Sequence, residues 1–113
     1  MLDRLNLAPK DAAALREFAR QVADRLGGNL ISLTLFGSKA RGVDVPDSDI
    51  DVLVAVNEMA TGVEDEVLDV AFEINLAHEV YISPRVIAKA ILDDPVWRIT
   101  PFLQAVAREG VSL

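Results

Sequence analysis

The sequence predicts an α/β protein of the α+β kind, a small mixed β-sheet with helices mainly on one face. Three observations carry this. Short apolar runs, Leu30 to Phe36 and Ile50 to Val56, have strand length, and longer stretches around them have helical period. Glycine or proline punctuates the changes of period, at Gly27-Gly28, Gly37, Pro46, Pro95 and Gly110. The resulting order is α, β, β, α, β, α, which a mixed sheet with packed helices satisfies.

The chain has 113 residues, enough for one domain, 1–113, with a real core. Apolar residues make up 51% and charged residues 26%, the balance of a globular protein. The formal net charge is −7, so the surface is a poor general binder of nucleic acid, and no direct nucleic-acid partner is expected. There is no cysteine, which excludes disulfides and thiolate metal sites and fits a reducing compartment. No apolar stretch is long enough to span a membrane, and Met1-Leu2-Asp3-Arg4 lacks the layout of a signal peptide. A cytoplasmic protein is the expectation.

Pro9 suits a first helical position. From there Leu15, Phe18, Ala19, Val22 and Leu26 mark the inner stripe of an amphipathic helix that Gly27-Gly28 ends. Leu30 to Phe36 follows as a strand, with Ile31, Leu33 and Leu35 on one face and Ser32 and Thr34 on the other. Gly37-Ser38 turns the chain, Lys39 to Gly42 fits one helical turn, and Val43 to Asp47 is a loop held by Pro46. Asp49 to Val56 is the second strand, with Ile50, Val52, Val54 and Val56 towards the helices.

Thr61-Gly62-Val63-Glu64 fits a capping box for a helix reaching about Ala77. Val67, Val70, Ala71 and Ile74 form its core stripe. Leu68, Phe72 and Leu76 form a second stripe, also expected in the core. The acids Glu64, Asp65, Glu66, Asp69 and Glu73 read as a solvated face, with a docking surface for a basic partner as the alternative. Glu79 to Ile87 is the third strand, interrupted at Ser83-Pro84, where the proline calls for an edge position or bulge. Ala88 to Leu92 is a short helix, broken by Asp93-Asp94-Pro95. Pro101 to Glu109 is the last helix, stopped at Gly110.

The chemistry concentrates between the first two strands. Asp49 and Asp51 stand at i and i+2, so on a strand their carboxylates lie side by side. Two such carboxylates repel, and a bound cation relieves that repulsion. Upstream, Gly37-Ser38 offers backbone N–H groups, a hydroxyl and close approach for an anion. A cation site and an anion site on neighbouring strands point to metal-nucleotide chemistry.

Gly37, Ser38, Ala40, Arg41, Gly42, Ser48, Asp49 and Asp51 together resemble the signature of the minimal nucleotidyltransferases, a branch of the DNA polymerase β-like superfamily. Val52 stands where that branch commonly has Leu. Pro101 to Gly110 is similar to the ending of many such proteins. The resemblance implies a polymerase β-like nucleotidyltransferase core and transfer of a nucleoside monophosphate, AMP from ATP, with loss of pyrophosphate. It implies Asp49 and Asp51 as ligands of Mg²⁺, two ions in the usual arrangement. Gly37, Ser38, Lys39, Arg41 and Ser48 are then the nucleotide-binding set, with solvation as the alternative for Lys39 and loop capping for Ser48. The superfamily carries a third carboxylate on a later strand, and Glu79 is the acid that sits there in this sequence. His78, the lone histidine, reads as structural.

Minimal nucleotidyltransferases pair with small helical HEPN toxins and act as antitoxins, some by adenylylating the toxin. The resemblance therefore implies a toxin partner. A rival expectation is a non-catalytic antitoxin that neutralises its partner by complex formation. Transfer to a small molecule is a third reading, disfavoured because no substrate domain is evident.

Overall fold

The computed structural model describes residues 7–41 and 48–113. Helix α1 spans Pro9–Leu26, with Pro9 in its first turn as its fixed φ favours. A single 3₁₀ turn, Gly27–Asn29, leads into β1, Leu30–Phe36. Strand β2 is Ile50–Val56, α2 is Val63–His78 and β3 is Ile82–Ala88. Two short helices follow, α3 at Lys89–Asp93 and α4 at Pro95–Arg98. Helix α5 is Pro101–Glu109 and β4 is Val111–Ser112.

The sheet order is β3-β2-β1-β4. Strand β1 runs antiparallel to β2 and to β4, whereas β2 and β3 are parallel. The parallel pair needs a crossover, and α2 supplies it. Both long helices lie against one face. There Leu15, Phe18 and Val22 of α1 and Val67, Val70 and Ile74 of α2 close over Leu35, Val52 and Val54. Each of these buried side chains contributes about 1.5–3 kcal/mol through removal from water. The opposite face is covered in part by α5, whose Leu103 and Val106 are buried with Leu53 and Ala55.

Four local expectations are corrected. The Thr61/Glu64 capping box does not form: the N-cap is Gly62, left-handed at φ 90°, with no side-chain cap. The third strand starts at Ile82, because Glu79 ends α2 in a left-handed conformation (φ 55°) that a strand residue cannot have. Ser83-Pro84 does not interrupt β3, although the expected edge position holds and accommodates the proline. Leu68, Phe72 and Leu76 are exposed, since α2 meets the sheet only through its other side. Strand β4, too short for a sequence signal, was not foreseen. Gly110 is needed before it because a Cβ there would collide with Val106 O and Thr34 Cγ2.

Candidate active site

The register of the sheet builds the site row by row. Phe36 pairs with Asp51 across β1 and β2, and Asp51 pairs with Ser83 across β2 and β3. Directly paired residues point to the same face, so Phe36, Asp51 and Ser83 form one row. The next row is Thr34, Leu53 and Arg85. This is the face turned away from α1 and α2. Asp49 precedes β2, exposed, two residues before Asp51.

The Gly-Ser turn presses against this row. Gly37 has φ 79°, a conformation that disfavours any side chain. A Cβ placed there would overlap Asp51 Oδ2 and lie 3.3 Å from Asp51 Cγ. Glycine thus lets the backbone of the turn lie directly on the carboxylate. The Arg41 N–H donates to Gly37 O at 3.2 Å, closing one helical turn over residues 37–41. Gly42 and the loop expected at Val43 to Asp47 lie outside the described residues.

Burial raises the Asp51 carboxyl above its ordinary value of 3.8, and the neighbouring Asp49 charge raises it further. Arg85 and Arg41 oppose this by favouring the charged form. Arg41 also donates to Glu109 Oε2 at 3.0 Å, which ties the turn to the end of α5. The Arg85 guanidinium lies over the Phe102 ring, 4.8 Å from its centroid. Phe102 in turn meets Phe36 edge to face, with centroids 5.4 Å apart. Phe102 of α5 therefore touches both Arg85 and Phe36, and Phe36 is the residue paired with Asp51.

Of the residues foreseen, Gly37 and Asp51 are brought into direct apposition. Ser38 lies half-buried in the same turn. Ser48 Oγ is buried and has no hydrogen-bond partner among the described residues. Lys39 is buried, not solvated at the surface. It is 6% exposed and its Nζ meets Asp11 Oδ2 of α1 at 3.1 Å. In one helical turn residues 38 and 41 share a side and residue 39 points elsewhere, here back to α1.

Glu79 is not gathered with the pair. It caps α2, and among the described residues no three acidic or histidine side chains are grouped to hold a metal. The position beside Asp51 on β3 is held by Ser83. The sequence reading missed Asp11, Arg85, Phe102 and Glu109. Only Arg85 left a trace, as the residue two beyond Ser83 on one face of a strand.

A nucleotidyltransferase domain matches residues 15–102, and the chain belongs to this family. It is 33% identical over 100 residues to the Methanocaldococcus jannaschii protein named "Putative protein adenylyltransferase MJ0141", covering 88% of this chain and 94% of that one. A toxin-antitoxin crystal structure with AMP-PNP shares the fold at TM-score 0.59 and 15% identity, covering 93% of this chain and 72% of that one. Spectinomycin adenyltransferase AAD(9) from Enterococcus faecialis, crystallised with ATP and spectinomycin, shares it at TM-score 0.60 and 22% identity, over 90% of this chain and 46% of that one. The enzyme class is thus nucleotidyltransferase.

Proposed function

We propose that the chain transfers AMP from ATP to a hydroxyl of a partner protein, in an antitoxin role towards a toxin. The carrying observation is the contact between Gly37 and Asp51, which sets an anion-binding turn against an acid pair. The relative named as a protein adenylyltransferase supports a protein acceptor, and the toxin-antitoxin neighbour supports the partner class.

Asp49 and Asp51 offer hard oxygen donors, and among the described residues no third acid is grouped with them. This fits Mg²⁺, which typically takes one or two carboxylates and completes its shell with water and substrate phosphates. The ion, when bound, would neutralise phosphate charge. The chain's own residues do the rest. The N–H groups and hydroxyl of Gly37-Ser38 hold the triphosphate, and the buried Ser48 hydroxyl has capacity for an oxygen ligand. Arg41 and Arg85 add positive charge beside Asp51. The acceptor oxygen bonds to the α-phosphorus, the bond from that phosphorus to the bridging oxygen breaks, pyrophosphate leaves, and the hydroxyl proton passes to water. Positioning and electrostatics supply the catalysis.

Calorimetry with Mg-ATP tests the site: Asp49→Asn and Asp51→Asn are expected to bind far more weakly than wild type, and equal affinity would refute it. Ser83, not an acid, pairs with Asp51 on β3, and this favours a second reading in which the chain neutralises its partner by binding alone. Intact-mass measurement of a co-incubated partner separates the two. A gain of AMP lost in Asp49→Asn supports transfer.

A further inference from the structure

The outward face of α2 is built the wrong way round for a solvated helix. Its core side is Val63, Val67, Val70, Ala71 and Ile74. Opposite these stand Leu68, Phe72 and Leu76, at i, i+4 and i+8, which are 45%, 64% and 67% exposed. They form a continuous ridge of the kind that fits into a groove on another helix. Tyr81, 57% exposed, extends the ridge beyond the end of α2, and a cleft of about 490 Å³ lies between Phe72, Leu76, Glu79 and Tyr81.

We propose that this ridge docks a helix of the acceptor protein, one with an apolar stripe flanked by lysines and arginines. Three observations select this occupant. First, strand addition at the neighbouring edge is blocked. Asn75 Nδ2 donates to Ile82 O at 3.1 Å, and Ile82 N–H donates to Asn75 Oδ1 at 2.7 Å, so the outward backbone groups of Ile82 are already used. Pro84, next in the outward register, has no N–H. Second, a second copy of this chain is disfavoured. Asp65, Asp69 and Glu73 alternate with the ridge and make no ion pair among the described residues. A two-fold contact would set these acids against themselves, whereas a basic rim would complement them. Third, the ridge leads to the acids. Tyr81 O accepts from Ile50 N–H at 2.8 Å, which sets Tyr81 beside the Asp49–Ile50–Asp51 segment. A helix seated on the ridge therefore brings its protein to the end of the sheet at which Asp49 enters β2, round the β3 edge from the acid face.

This deepens the proposed transfer, and its test can fail separately. A photo-cross-linking amino acid is placed at position 72, and at 104 as a control, in cells producing this chain and its natural neighbours. The adduct formed at 72 but not at 104 is identified, and that protein is purified and titrated against the chain. The expected result is a basic helical protein whose binding weakens with salt and falls roughly thirtyfold, the scale of a hot-spot residue, in Phe72→Glu. Leu76→Glu provides an independent variant, and Mg-ATP affinity is expected to stay at the wild-type value in both. No adduct at 72, an adduct with a second copy, or binding indifferent to both variants overturns the docking face. Tight, Phe72-dependent binding with no AMP gained leaves the docking face standing and refutes the transfer.

Discussion

Lys39, in the middle of the Gly-Ser turn, is held by Asp11 of α1 through an ion pair buried on both sides. The turn that faces the ligand is thus anchored from behind by the first helix. Removing Lys39 leaves the buried Asp11 carboxylate without this cation, and removing Asp11 takes a carboxylate from the buried Lys39 ammonium. Lys39→Met or Asp11→Leu is expected to destabilise the protein by about 3–5 kcal/mol, and the double variant by clearly less than the sum. Urea denaturation of the three variants checks this. Additive losses would show that the pair is not coupled.

Gly37→Ala tests the apposition of turn and acid. The left-handed backbone alone costs an alanine about 1–2 kcal/mol. The added methyl also pushes Asp51 away. The variant is expected to melt lower and to lose Mg-ATP affinity, whereas Gly28→Ala, with open space at its Cβ, is expected to keep that affinity. Calorimetry and thermal melts distinguish the two.

The raised Asp51 carboxyl predicts a pH dependence of stability. The folded state binds this proton more readily than the unfolded state, whose carboxyl titrates near 3.8. Stability in metal-free buffer therefore falls as pH rises from 3.8 through the raised folded value, and the penalty persists above it. Asp51→Asn lacks that penalty. Melting curves in chelator across pH are expected to place the variant above wild type at neutral pH and to converge with it in acid. A variant that melts below wild type at neutral pH contradicts the prediction.

Arg85 opposes the rise in Asp51 and stacks on Phe102. Arg85→Ala loses the cation–π contact, about 0.5–1 kcal/mol at an exposed site. It also leaves Asp51 easier to protonate. Mg-ATP binding in the variant is expected to begin failing at a higher pH than in wild type. Isothermal titration over a pH series measures the displacement, and coincident profiles would remove Arg85 from the site.

Glu79→Gln provides a contrast with Asp49→Asn. Because Glu79 caps α2 apart from the acid pair, its neutral variant is expected to keep Mg-ATP affinity within about twofold, as surface changes away from a site generally do. A large loss would bring Glu79 back as a ligand.

Periodicity and local spacing made much of this protein legible. Strand β1 is found at Leu30–Phe36, and the inner stripe of α1, from Leu15 to Leu26, faces the core. Repeats of two and 3.6 are local properties, and turn residues such as Gly37 carry their φ requirement with them. The candidate carboxylates were legible for the same reason: Asp49 and Asp51 are two residues apart whatever the fold. Tertiary structure alone decided the rest. Asp11 and Lys39 are 28 residues apart in sequence, Arg41 and Glu109 are 68 apart, and no local pattern announces either pair. Periodicity marks Val67, Val70, Ala71 and Ile74 as the core stripe of α2, but it does not say that the second apolar stripe stays exposed in the fold. The crossover from β2 to β3 buried Val67, Val70 and Ile74 and left Leu68, Phe72 and Leu76 outside. Glu79 shows the same limit at its smallest scale: a left-handed cap at the end of α2 delays β3 until Ile82, and the row beside Asp51 passes to Ser83.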